Sequence, residues 1–238
     1  MRLMTHDSQK IALVVGVGPG LGAAAVRRLH ADGYRVALAA RSLDKLTALA
    51  AEVDGLPVSI DATDPASVEA GIAAVEDKLG PIHTVVWNVG SGVFGSLEAV
   101  ELDGMDLALG TNTRGLFVLA KRLLPSMASR GDGALIVTGA TASLRGKPFT
   151  TAFAAGKAAQ RSLAQSLARE YGKHGVHVAL VIVDGMVDLP ATRARMPERA
   201  SESFIAPDAY AETVSFLLRQ PRSAWTFELD LRPHVESW

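Results

Sequence analysis

The string Val15-Gly16-Val17-Gly18-Pro19-Gly20-Leu21-Gly22 lies between an apolar run over residues 11–15 and the helix-forming Ala23-Ala24-Ala25-Val26-Arg27-Arg28-Leu29. The run is short, rich in β-branched residues and apolar throughout, as a strand covered on both faces requires. Glycines at 16, 18, 20 and 22 let the chain turn sharply, bring its backbone up to a pyrophosphate and pack the next helix close to the strand. The helix then starts with its free N–H groups facing the turn, which favours an anion there. Strand, glycine turn, helix and second strand in this order predict a nucleotide-binding unit rather than an ordinary tight turn.

The alternation continues to the end of the chain. Further strands are predicted at residues 34–40, 58–60, 82–87, 134–138, 176–183 and 226–231. Helices fall between them, two of them long, at about 103–127 and 151–171. Ser42 with Asp44, and Asp64 with Pro65, mark helix starts. This is the pattern of an α/β fold, a Rossmann-type doubly wound parallel sheet of about seven strands in three α/β/α layers. Residues 188–207 form the one irregular polar stretch and are expected to cover the ligand crevice. No repeat or linker divides the chain, so residues 1–238 are read as one domain.

Composition narrows the function. The formal charge is −1, which gives no basic footprint for nucleic acid or an anionic membrane. The absence of cysteine excludes thiol chemistry and agrees with a cytoplasmic setting. The polar residues 1–10 do not read as a leader, and no apolar run is long enough to span a membrane. His174 and His177 are read as structural, and no metal site is expected.

The end of the second strand chooses the dinucleotide. An acid there would hold the adenosine ribose and repel a 2′-phosphate. This chain has Ala39-Ala40-Arg41-Ser42 instead, about twenty residues past the glycine turn. Ala40 leaves room and the Arg41 guanidinium suits a phosphate, so NADP(H) is the expected cofactor. The alternative is an ordinary surface arginine at a helix start.

With these segments in place, the chain resembles the short-chain dehydrogenase/reductase family along nearly its whole length. The family's Thr-Gly-x-x-x-Gly-x-Gly turn falls on residues 15–22, with valine for threonine. The resemblance implies cofactor contacts from Gly16, Gly18, Pro19, Gly20, Leu21 and Gly22, and from Arg41 and Ser42. It places Asp61 and Ala62 near the adenine, and Trp87-Asn88-Val89-Gly90 on the family's Asn-Asn-Ala-Gly, so Asn88, Val89 and Gly90 join the cofactor set. Asn112 falls on the asparagine that holds a relay water, and Lys157 on the lysine that holds the nicotinamide ribose. Where the family has Pro-Gly after the sixth strand, this chain reads Asp184-Gly185-Met186-Val187, so Gly185 and Val187 fall on the backbone beside the nicotinamide. The substrate pocket implied by the topology is apolar and includes Phe94, Thr141, Ser143, Phe149, Phe153, Met186 and Leu189. A homodimer or homotetramer is implied as well.

The active-site motif departs from the family. Tyr-x-x-x-Lys becomes Phe153-Ala154-Ala155-Gly156-Lys157, and the serine thirteen residues before the tyrosine becomes Ala140. A positioned acid contributes on the order of 10²–10⁴ in rate, so a substitute donor or a substrate that needs none is required. The substitutes are Thr141, Ser143, Asp184, or a water on Asn112. An iminium ion accepts hydride without a proton, and the Asp184 carboxylate would favour that cation. Otherwise Asp184 is a turn residue. The expected activity is NADP(H)-dependent hydride transfer to a small hydrophobic carbonyl, imine or activated alkene, with Lys157, Asn112 and Asp184 as the catalytic set. The alternative is an NADP-binding pseudoenzyme that serves as a sensor or partner subunit.

Overall fold

A computed structural model describes residues 9–236; the polar start over residues 1–8 lies outside them. Strand β1 (Ile11–Val15) enters the glycine turn, and helix α1 (Leu21–Ala31) leads to β2 (Arg35–Ala40). Then follow α2 (Thr47–Glu52), β3 (Leu56–Ser59), α3 (Pro65–Leu79) and β4 (Ile82–Trp87). The second half runs α4 (Leu102–Leu109), α5 (Gly115–Arg130), β5 (Gly133–Ala140), α6 (Thr151–Tyr171) and β6 (Val176–Val183). It ends with β7 (Met186–Val187), α7 (Pro190–Arg195), β8 (Phe204–Ile205), α8 (Pro207–Arg219) and β9 (Glu228–Leu231).

Seven strands form one parallel sheet in the order β3-β2-β1-β4-β5-β6-β9. The inner strands β1, β4, β5 and β6 are buried on both faces because each face packs on helices, while the edge strands β3 and β9 carry polar, partly exposed residues. Ile11, Leu13 and Val15 of β1 join the core shared with α3, α5 and α6, while Ala12 and Val14 join the core shared with α1, α2 and α8. Alternate side chains of a strand point to opposite faces, and both faces here are dry. Fully burying a leucine or isoleucine of this kind stabilises the fold by about 1.5–3 kcal/mol. The chain reverses direction across the sheet between β1 and β4, so the carboxyl ends of these strands open a crevice.

Several boundaries follow from local chemistry. The Asp64 side chain accepts from the Ala66 backbone N–H at 2.9 Å and caps α3, with Pro65 in its first turn. Ser42 makes no such bond; a short 3₁₀ turn over Leu43–Lys45 precedes α2. The long helix expected at 103–127 is two helices, α4 and α5, joined by a π-helical turn over Gly110–Arg114. The stretch at 188–207 is more ordered than expected. It contains α7 and pairs β8 with β7 as a two-stranded sheet. No helix among the described residues is long and apolar enough to cross a membrane.

Candidate active site

The glycine turn is held by close approaches that exclude side chains. Gly16 has φ of 89°, and a Cβ on it would lie 2.5 Å from the Asn88 carbonyl oxygen. A Cβ on Gly22 would lie 2.7 Å from the Gly16 carbonyl. Asn88 fastens the turn to β4, since its Nδ2 donates to the Gly16 carbonyl at 2.9 Å. Gly18 has the opposite surroundings, with no protein atom beyond its own chain neighbours within 4 Å of a Cβ placed there. A pyrophosphate therefore has room at Gly18 while its neighbours keep the turn rigid, so the cradle fits a dinucleotide.

Just past β3, Asp61 accepts from the Thr63 backbone N–H at 2.9 Å and from its hydroxyl at 2.7 Å through one oxygen, Oδ1. These bonds hold its carboxyl below the usual carboxylate range. No carboxylate of the described residues lies within ion-pair distance of Arg41. The guanidinium is thus available at the end of β2.

In front of the strand ends lies a cavity of about 510 Å³. Its floor comes from the ends of β4, β5 and β6: Asn88, Val89, Gly90, Thr138, Gly139, Ala140 and Val183. Leu21, Gly185, Met186 and Val187 close one side, and Phe94, Phe149 and Phe153 the other. The Phe153 ring sits 4.8 Å from that of Phe94 in a tilted pair. Phe153 and Ala140 thus present a phenyl ring and a methyl group to the space beside Lys157.

Lys157 is 4% exposed. Its Nζ donates to the Thr138 carbonyl at 2.9 Å, to Gln160 Oε1 at 3.1 Å and to the Val89 carbonyl at 3.3 Å. All three acceptors are neutral. Burial pushes the ammonium down to about 7. Asn112 lies in the π-helical turn, a distortion that often accompanies function. Its Nδ2 donates to the Ala108 carbonyl at 2.8 Å and to Ser91 Oγ at 3.1 Å. A carbonyl only accepts, which assigns Nδ2 to that side and leaves Oδ1 buried without a partner. Oδ1 and Lys157 Nζ both lie within 3.8 Å of a Cβ built on Gly90.

Gln160 and Ser91 belong to this cluster and were not singled out from the sequence. Gln160 is fully buried; its Nε2 donates to the Asn112 carbonyl at 3.0 Å while its Oε1 takes the Lys157 head. The signal was a glutamine one turn past the lysine, on the helix face it shares with Gly156 and Ala164. Ser91 is legible only once Asn112 is known to turn toward the loop after β4.

Three of the expected residues, Asp184, Ser143 and Leu189, are absent from the cavity lining. The Asp184 carboxylate does not line the cavity. It accepts from the Thr141 hydroxyl at 2.5 Å, and Arg232 and Arg145 lie 2.9 Å and 3.3 Å from its Oδ2. The side chain of this residue just past β6 lies behind Thr141 and Arg145, which do line the cavity, and its charge is met there by Arg145 and Arg232. Ser143 is also missing from the lining, because its hydroxyl accepts from the Ala140 backbone N–H at 3.1 Å. Leu189 covers the glycine turn instead of the pocket: its Cδ2 would stand 2.8 Å from a Cβ on Gly20. Thr141 does line the cavity, but its proton is committed to Asp184. Asp188 is an ion-pair partner of Arg193, at 2.6 and 2.9 Å, and that pairing holds its carboxyl low. His177 is structural, bonded to the Thr226 carbonyl and stacked on Trp225.

The sequence profile of the short chain dehydrogenases matches residues 10–200. An uncharacterized oxidoreductase of Staphylococcus aureus is 30% identical over 233 residues, covering 97% of this chain and all of that protein. A short-chain dehydrogenase structure from Rhodopseudomonas palustris superposes with a TM-score of 0.81 at 31% identity, covering 94% of this chain and 99% of the other. An alcohol dehydrogenase from the archaeon Thermococcus sibiricus, solved with 5-hydroxy-NADP, gives 0.86 at 28% identity, covering 96% and 98%. The parallel sheet, the glycine turn at its switch point and these matches lead to one conclusion: the chain belongs to the short chain dehydrogenase family and is an oxidoreductase of that type.

Proposed function

We propose that the chain is an NADP(H)-dependent reductase of a small hydrophobic carbonyl or activated alkene, working without a tyrosine acid. The observation that carries this reading is the cavity beside Lys157, where a phenyl ring and a methyl group flank a lysine whose ammonium titrates near neutrality. The NADP analogue held by the archaeal relative supports the cofactor, as does the unpaired Arg41 at the end of β2. Gly16, Gly18, Pro19, Gly20, Leu21 and Gly22 would hold the pyrophosphate, Arg41 and Ser42 the 2′-phosphate, and Asp61 and Ala62 the adenine. Asn88, Val89, Gly90, Gly185 and Val187 would enclose the nicotinamide ribose and ring. When bound, the cofactor supplies the hydride.

The chain's own contribution is a proton. Lys157 holds one on a nitrogen poised near 7, which matches the operating pH of a general acid far better than an exposed lysine does. Asn112 Oδ1, buried and unpartnered, is an acceptor for a water standing between it and the substrate oxygen. Ser91 accepts from Asn112 and keeps its own proton free to donate into the cavity. The other hydroxyls are engaged: Thr138 with Tyr210 at 2.6 Å, Thr141 with Asp184, and Thr150 with the Lys147 backbone. An iminium substrate loses its rationale, since the carboxylate that would steady it points elsewhere and no acid lines the cavity.

A second reading, an NADP-binding sensor or partner subunit, draws support from the Lys157 head. Its three protons are matched by three protein acceptors, so it must release one to act. A homodimer or homotetramer is part of the proposal; Leu107 and Phe117 of α4 and α5 are about half exposed, as a face for a second copy requires. NADPH titration by fluorescence comes first, and absence of binding overturns both readings. NADPH oxidation is then screened with ketones, enones and cyclic imines. Turnover by the natural chain supports the reductase; turnover only after Phe153→Tyr with Ala140→Ser supports the sensor.

A further inference from the structure

We propose that the cavity selects a substrate with a carboxylate on an aromatic or branched apolar body, an inference that rests on the reductase reading for its chemistry but not for binding. Three cations line the cavity, Arg145, Lys147 and Lys157, and no aspartate or glutamate does. Lys157 is spoken for at the cavity floor. The outer two lie on the segment between β5 and α6, away from the glycine turn and from Arg41, so they are not needed for the cofactor's phosphates.

Lys147 is the stronger of the pair. Its backbone is pinned, with the N–H donating to Thr150 Oγ1 at 2.8 Å and the carbonyl accepting from the Thr150 hydroxyl at 3.0 Å. Its ammonium has no carboxylate within ion-pair distance among the described residues. Arg145 touches Asp184 Oδ2 only at 3.3 Å, an oxygen that Arg232 holds at 2.9 Å, and its side chain is 42% exposed. Most of its guanidinium donors therefore remain for a ligand.

Next to these charges stand two rings that a folded chain would ordinarily hide. Phe94 and Phe149 are each 56% exposed at the cavity mouth. The backbone that carries them is tied across the mouth, since the Gly95 N–H donates to the Phe149 carbonyl at 2.8 Å and the Thr151 hydroxyl donates to the Gly95 carbonyl at 3.2 Å. Apolar walls with a few fixed polar groups are the usual form of a small-molecule site. Here the polar groups are cationic, and an anion paired beside aromatic rings is screened less than one on an open surface.

The test uses matched pairs, benzoylformate with its methyl ester and phenylacetate with its methyl ester. Each is titrated calorimetrically into the full chain, with and without NADP⁺. The acid of at least one pair should bind about tenfold more tightly than its ester, the scale of one charge-assisted hydrogen bond. Lys147→Met should bring that ratio below about threefold, and Lys147→Glu should invert it. Equal affinity of acid and ester in both pairs, no binding by either acid, or a ratio untouched by both variants overturns the inference. NADPH oxidation is followed in parallel. Selective acid binding without turnover would count against the reductase alone, whereas turnover of neutral ketones without acid preference would remove only the carboxylate.

Discussion

Replacing Lys157 by methionine removes a buried ammonium while keeping most of the stem's volume, and the result can be worked out in advance. Burial lowers the folded-state value from the ordinary 10.5 to about 7. Between those values the unfolded chain still carries the proton that the folded chain has released. Unfolding then takes up a proton, so stability rises with pH across this window and is lowest below it. From the two values, the wild type should gain about 2.5 kcal/mol between about pH 7.5 and about pH 9.5, out of about 5 kcal/mol over the whole window. The methionine variant lacks this term. It also leaves three acceptors unpaired, but that cost does not vary with pH, so only the slopes are compared. Burial pushes His83 and His177 down and Tyr171 and Tyr210 up, and these groups are common to both proteins, so their contributions cancel when the slopes are compared. The assay is urea unfolding at fixed protein concentration, without cofactor, at steps of about half a pH unit, with the m-value checked for constancy. Parallel curves for wild type and variant would refute the reasoning, because they would mean that the three carbonyl oxygens keep the ammonium charged in the folded state.

The remaining predictions concern single contacts. Gln160→Leu removes the bridge between the Lys157 head and the Asn112 carbonyl, and should cost about 1–3 kcal/mol in urea unfolding; an unchanged midpoint would show that the bridge is idle. Asp184→Asn leaves Arg145 and Arg232 facing a neutral amide in a buried position, and should cost about 3 kcal/mol of stability without moving the pH profile of turnover. A shifted profile would return the carboxylate to the chemistry. Arg41→Ala should weaken NADPH binding by about tenfold or more and leave NADH nearly unaffected, as measured by fluorescence titration. Equal effects on the two cofactors would remove Arg41 from the phosphate site. Gly115→Ala places a Cβ 2.2 Å from the Ala62 carbonyl and should lower stability by about 1–3 kcal/mol, read by thermal unfolding.

Those residues also show where a sequence is legible and where it is not. Strand β1, strand β4, helix α6 and strand β6 are bounded as their apolar periods predicted, because both faces of the sheet are dry and the pattern has little else to encode. The break between α4 and α5 left no such trace. Gly110-Thr111-Asn112-Thr113-Arg114 has no proline, and the π turn arises where Asn112 faces Ser91 and Gly115 closes on Ala62, contacts far apart in the chain. The glycine turn was readable since its geometry permits no other residue at Gly16 or Gly22. Side-chain direction was not. Asp184 stands at the sheet edge that spacing indicated, yet its carboxylate turns toward Arg232, a residue nearly fifty positions later. Ser143 is diverted by a backbone N–H only three residues away. Position along a strand is local information; the partner that claims a polar group is tertiary.

The most direct test of the account is the pH dependence of NADPH oxidation by the wild-type chain, measured with the best ketone or enone from the screen. If the Lys157 ammonium supplies the proton, kcat should be level below about pH 7 and fall about tenfold per unit above it. A rate that stays level to about pH 9, or NADPH that binds without ever being oxidised, would contradict the account.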